Sequence, residues 1–549
     1  MDNFTVVIFI IAILLVLSAF AAKIRFPYPI LLLIVGVVLG TVPFVPDLSL
    51  DPEIVFLVFL PPLLYDAATK TSWLEFKKEI RPISTLAITL VFFTTLAVAA
   101  TAHYFIPHFS WPLAFVLGAI VSPPDAVAAT SITKGLGLNR RVITIIEGES
   151  LVNDASALIA YRYAVAAVLS GVFVFWKAGL GFLLVAVGGV LAGLVIGYIM
   201  VYAHKKITEN PIVETSLSLL TPFVAYLLAE RFHASGVLAV VTAGFYINWN
   251  AREIFTFQTR LQTNIVWETV IFVLNGLVFI LIGLQMPTII MRFEENGFAK
   301  MFAYGLLISL VTIAIRVIWV FVGAYNQVIF KRRKTVDANN GNDEEEISWK
   351  NVLIVAWTGS RGVVSLATAL ALPLSLSNGK AFPMRDQILF FAFVVILLTL
   401  VVQGLTLPLL IRMLGIKTEE GLQKSEEKDL EFTLTESTLQ FLKRDFPLQL
   451  EDKVMEQVKK IYEANYSILS QRKSVNPLVK SKQVNQFHII TQLLTAQLEI
   501  VKYQRELLLT YQKDGTFNEE SISKAELDLD IEELRINNMM EKRDIDPQT

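Results

Sequence analysis

The chain has 549 residues, of which 54% are hydrophobic and 17% charged; it carries 47 Lys+Arg against 49 Asp+Glu and contains no cysteine. Such a composition excludes an ordinary soluble domain, a disulfide framework and a thiolate metal site. Charge divides the chain in two, with a balance of +4 over residues 1–416 and −6 over 417–549, so a membrane region is followed by an acidic tail.

The first apolar run, Phe4–Ala22, has no basic residues before it and is followed by Lys23 and Arg25. It reads as a first transmembrane helix and not as a cleaved signal. Further spans follow near 28–45, 53–69, 84–106, 111–133, 142–168, 179–203, 211–230, 234–248, 267–286, 301–325, 350–372 and 387–411, about thirteen in all. The connections after odd-numbered spans hold eighteen Lys and Arg, from Lys23 to Lys350, whereas those after even-numbered spans hold six. The positive-inside rule then puts the N-terminus outside and the C-terminus in the cytoplasm.

Two of these spans are interrupted. Span five carries SPPDA (Ser122–Ala126) and span twelve carries TGSRG (Thr358–Gly362). Proline and glycine free backbone groups that lipid cannot satisfy, so such breaks survive only inside protein or beside a cavity. With the spans divided six, one, six, the two breaks occupy the fifth position of each half and run in opposite directions. The expected fold is an all-α polytopic membrane protein of two inverted six-helix repeats, with broken helices five and twelve crossing at the midplane and a helical cytoplasmic tail.

A charged side chain at the bilayer centre costs about 2.5–3.5 kcal/mol even on the lenient insertion scale. The spans nevertheless contain Asp66, Asp125, Glu147, Glu149, Asp154, Arg162, Arg316 and Arg361. In IIEGESLVNDASALIAYR (Ile145–Arg162), helical spacing puts Glu147, Ser150 and Asp154 on one face and Glu149 and Asn153 on a neighbouring face. Asp154 sits near the middle of its span, and Glu147 about two turns toward the cytoplasm. A carboxylate, a hydroxyl and an amide suit a small hard cation. A carboxylate that holds either a proton or a cation, never both, is the simplest exchange device, since each occupied form is nearer neutral than the bare anion. Glu149 is expected to pair with Arg361. Asp125 either touches the ion or braces the broken helices against their dipole ends. Asp66, after Pro61 and Pro62, is either an entry-route acid or a supporting one, and Arg162 and Arg316 are expected to snorkel or to pair locally.

These residues also carry a resemblance. GESLVNDASAL (Gly148–Leu158), VSPPDAVAAT (Val121–Thr130), WTGSRGVVSLATALALP (Trp357–Pro373) and LPPLLYDAA (Leu60–Ala68) resemble, in the same order, four motifs of the monovalent cation:proton antiporter family that contains NhaP-type antiporters and animal sodium/proton exchangers. The resemblance implies a homodimer in the cell inner (plasma) membrane whose core bundle moves like an elevator against a dimerisation domain. It makes Asp154 the exchanging carboxylate and Ser150 a ligand hydroxyl. It makes Asn153 the mark of the branch held to be electroneutral, and it puts Asp125, Glu149 and Arg361 on an internal polar network. Asp66 stands where the family has glutamate. Pro124 replaces a threonine, leaving its backbone carbonyl as the contact there, and Ala126 replaces a proline. The implied cargo is Na+, with Li+ also accepted and K+ the alternative, in exchange for H+. No cofactor, catalytic residue or nucleic-acid partner is implied.

The tail (417–549) is rich in helix formers. Phe487, Ile490, Leu494, Leu498, Val501 and Leu508 form an amphipathic stripe, with a shorter one through Val454, Val458 and Ile461. Both point to a small helical domain packing on itself or its twin, or to a regulatory element. Asp337–Glu346 reads as a disordered acidic insert. The five histidines (His103, His108, His204, His233, His488) show no ligand spacing. Two other classes compete with an antiporter. A channel would need a carbonyl filter, and none appears in the sequence. An intramembrane aspartyl protease would match the Tyr65-Asp66 pair, but its GxGD partner motif is absent.

Overall fold

The computed structural model describes residues 3–24, 28–42, 52–125, 140–171, 175–207, 210–291, 293, 297–325, 349–376, 379–415, 432–442, 455–456, 459–460, 462–463, 466, 494–506 and 519–541. Contacts divide the chain into two units, Met1–Glu419 and Glu420–Thr549. Residues 126–139, the acidic stretch 337–346, Val454, Val458, Ile461, Phe487, Ile490 and Leu508 lie outside the described residues, so the expectations placed on them have no structural counterpart.

The first unit is helical. Its elements are α1 (Asn3–Ile24), α2 (Tyr28–Gly40), α3 (Pro52–Lys70), α4 (Trp73–Lys78), α5 (Ile80–Phe105), α6 (Trp111–Val121), α7 (Arg140–Ser170) and α8 (Phe175–Lys206). They continue with α9 (Pro211–Arg231), α10 (Gly236–Ile254), α11 (Phe257–Met291), α12 (Gly297–Tyr325), α13 (Trp349–Trp357), α14 (Val363–Leu370) and α15 (Arg385–Met413). Among the described residues, six helices are long and apolar enough to cross a membrane. The helices overrun the apolar runs: 267–286 becomes Phe257–Met291, and 179–203 becomes Phe175–Lys206. Polar flanking turns continue the backbone hydrogen bonding although hydropathy has ended.

Two local features set the geometry. Within α5, residues Thr85–Leu90 are π-helical, a widening that helical periodicity does not encode. In the other feature, α2 and α11 touch through glycines. A Cβ at Gly36 would stand 2.5 Å from the Ile280 carbonyl oxygen, and one at Gly283 would stand 2.6 Å from the Leu33 carbonyl oxygen. Small residues let two apolar helices meet backbone to backbone, where dispersion alone must hold them in lipid. Thus α11 is clasped to α2 and presents another face inward.

The second unit is also helical where described. Leu494, Leu498 and Val501, from the helix over 494–506, pack on Leu529, Ile536 and Met540 of the helix Glu519–Glu541. Arg505 bonds Asp530 and also Glu533, the latter at 2.5 Å. The described half of the amphipathic stripe therefore packs within the tail.

Candidate functional site

The sequence breaks two helices, and the structure stitches the breaks together. Helix α6 ends at Val121, and Ser122 to Asp125 continue without helical structure. Helix α13 ends at Trp357, and α14 begins at Val363 after a non-helical stretch. The Asp125 N–H donates to the Ser360 carbonyl at 2.7 Å. The Val363 N–H donates to Asp125 Oδ2 at 3.2 Å, so the carboxylate caps the N-terminus of α14. The Arg361 Nε donates to the Val121 carbonyl at 3.0 Å, which sets a cation at the C-terminal end of α6. Each break thus supplies the charge that the other's half-helix favours. A Cβ at Gly362 would collide with the Asp125 carboxylate, so only glycine fits there.

Glu149 does not hydrogen-bond Arg361, and the expected pair is corrected. Its partner is Arg316 of α12, which grips both carboxylate oxygens at 2.5 and 2.9 Å, each side chain 1% exposed. Arg316 also donates to the Val355 carbonyl at 3.0 Å. The reason is geometric: Arg361 is drawn to Val121 and Gly359, while Arg316 approaches end-on and meets the carboxylate with the fork of its two terminal nitrogens. Arg316 therefore does not snorkel. Arg162 likewise reaches another helix, donating to Glu230 at 2.8 Å and Tyr226 at 3.3 Å.

Beside the crossing lies a cavity of about 520 Å³. Its polar lining comprises Asp66 and Lys70 from α3 with Thr71 just after it, Asp125 from the first break, Glu147, Ser150 and Asp154 from α7, and Glu268 and Asn275 from α11. Five carboxylates face one ammonium there, a field that concentrates cations. Asp66 binds Lys70 through both oxygens, at 2.8 and 2.9 Å. Asp154, at the centre of α7, is 6% exposed, and among the described residues no hydrogen bond or ion pair engages it. Asn153 and Pro124 do not line the cavity; the Asn153 Nδ2 donates to the Pro124 carbonyl at 2.9 Å, tying α7 to the first break. That bond uses one of the two lone pairs on the Pro124 oxygen.

The cavity thus holds Asp66, Asp125, Glu147, Ser150 and Asp154 together, while Glu149, Asn153 and Arg361 join the hydrogen bonding around the crossing. Sequence reasoning missed Glu268 and Asn275. Their signal was present, since spacings of 3, 4 and 7 put Glu268, Ile271, Phe272 and Asn275 on one stripe of an apolar helix.

The family model for "Sodium/hydrogen exchanger, transmembrane" matches residues 8–413. A sodium, potassium, lithium and rubidium/H+ antiporter of Bacillus pumilus is 33% identical over 393 residues, which span 70% of this chain and 57% of that protein. The Na+/H+ antiporter NhaH of Halobacillus aidingensis is 32% identical over 432 residues, spanning 76% of this chain and 98% of the relative. The solved structure of the sodium proton antiporter MjNhaP1 from Methanocaldococcus jannaschii shares the fold, with a TM-score of 0.57 at 18% identity, over 75% of this chain and 99% of that one. With a family model matched along nearly the whole helical unit, the chain belongs to the sodium/hydrogen exchanger family.

Proposed function

We propose that the chain is a secondary antiporter exchanging H+ for Na+, with Li+ as a further substrate, in the cell inner (plasma) membrane. The observation that carries this reading is Asp154: one deeply buried carboxylate, engaged by no other side chain among the described residues, on a cavity rich in acids. Such a group holds a proton or a dehydrated cation in turn, with Ser150 beside it as a neutral oxygen ligand. Asp66 and Glu147 attract the cation along the cavity. The crossing, braced by Asp125, Arg361 and the Glu149–Arg316 pair, moves as a unit with α7 in an elevator-like stroke.

Exchange is electroneutral in this reading, one cation for one proton. The protein works as a homodimer, its N-terminus outside and its C-terminus in the cytoplasm. Residues 1–416 transport, and 417–549 form a cytoplasmic helical domain that packs on itself or serves regulation. A second reading, K+/H+ exchange, is favoured by the Bacillus relative, whose name includes potassium. Everted vesicles from cells lacking their own antiporters test the proposal. Adding Na+, Li+ or K+ to vesicles carrying a proton gradient should restore acridine-orange fluorescence; no response to any cation across a pH series would overturn the reading.

A further inference from the structure

Part of the cavity wall belongs to α11. Helix α11 is clasped to α2 through Gly36 and Gly283, so its inward stripe is held in a fixed position relative to α2. That stripe presents Glu268, Ile271, Phe272 and Asn275 to the cavity. Glu268 is exposed at one end, and Asn275 lies two turns along, about 10 Å away. Asn275 is 3% exposed, and its Oδ1 accepts no hydrogen bond among the described residues.

A buried amide oxygen without a donor is unusual, because burial strips it of water and nothing here replaces the loss. The surrounding residues of the stripe, Ile271 and Phe272, offer it no polar group. An amide turns either end toward a cavity at little cost, and it carries a neutral hard oxygen. Such an oxygen is the kind of group that replaces a hydration water on a small cation.

We propose that Asn275 is a specificity-determining ligand: its carboxamide oxygen takes the place of one hydration water on the cation that Asp154 holds, so that the cation is coordinated from both α7 and α11. This rests on the reading of Asp154 as the exchanging carboxylate. Because the amide is neutral, it strengthens cation binding without adding a second proton site. Because it offers a single oxygen from one position on α11, it favours ions of one size over another, whereas Asp154 supplies charge to all of them.

The test uses the full-length protein in proteoliposomes, with initial rates of proton movement driven by Na+, Li+ and K+. Wild type, Asn275→Ala, Asn275→Asp and Asp154→Asn are compared, and size-exclusion profiles check folding. Asn275→Ala should raise the apparent KM for the preferred cation about tenfold and change the Na+:K+ ratio of KM values by about threefold or more. Asn275→Asp, nearly isosteric and therefore the safeguard against a misfolded alanine variant, should lower the KM and make the exchange more sensitive to acid. If both variants keep KM values within about twofold of wild type for all three cations while Asp154→Asn is dead, the Asn275 assignment is wrong and the Asp154 reading stands. Full exchange in Asp154→Asn would overturn the site reading, and this inference with it.

Discussion

Glu149 and Arg316 meet through a fork of two hydrogen bonds, at 2.5 and 2.9 Å, inside a protein region where neither side chain is more than 1% exposed. The pair joins α7, which carries Asp154, to α12. An ion pair at this depth is costly to form and more costly to halve, because removing one partner leaves a bare buried charge. Glu149→Leu or Arg316→Met alone should therefore destabilise the fold by about 3–5 kcal/mol, read as a large drop in the thermal unfolding midpoint in detergent. The double variant Glu149→Leu/Arg316→Met should recover most of that loss. Strict additivity of the two single losses would contradict the pairing.

Gly362 leaves room for the Asp125 carboxylate at the head of α14. Gly362→Ala pushes that carboxylate off its cap and shifts the crossing beside Asp154. Transport at matched expression should fall by about a hundredfold, the usual cost of an ångström-scale misplacement. Wild-type initial rates in Gly362→Ala vesicles would show that the contact plays no part in transport.

Asp66 and Lys70 hold each other inside the cavity at 2.8 and 2.9 Å. Asp66→Asn leaves the ammonium facing incoming cations, and the apparent KM should rise about tenfold or more by like-charge repulsion. Asp66→Asn/Lys70→Met should return it close to wild type if Asp66 acts through Lys70. If the KM stays high in the double variant, Asp66 touches the ion itself.

Competition at a single carboxylate fixes a pH dependence. When the proton competes with Na+, the apparent KM for Na+ falls as pH rises, by about tenfold per pH unit on the acid side, and flattens on the alkaline side. The maximal rate at saturating Na+ changes less over the same range. A KM independent of pH, with a rate that titrates instead, would point to separate sites for the two ions.

Much of this was readable in the residues. The run of apolar spans announced the helical membrane unit, and SPPDA and TGSRG marked the places where helices α6 and α13 stop. Spacing alone put Glu147, Ser150 and Asp154 on one face, and the cavity opens on that face. The partner of Glu149 was not readable, because three intramembrane arginines were available and only the three-dimensional approach of α12 decides among them. Nor was the placement of Asn275 on the cavity: an asparagine in an apolar helix is visible, but which face of α11 is left for the cavity depends on how that helix packs. The π-helical turn at Thr85–Leu90 leaves no periodic signature either. Local pattern thus located the elements and their faces, while choices among distant partners waited for packing.

The most direct test of the central claim is proton release on cation binding. Purified protein in weakly buffered detergent solution is titrated with Na+, and the released protons are counted for wild type and Asp154→Asn. The account expects close to one proton per bound Na+ in wild type and none in Asp154→Asn, which should remain folded. Undiminished proton release from a folded Asp154→Asn protein would contradict it.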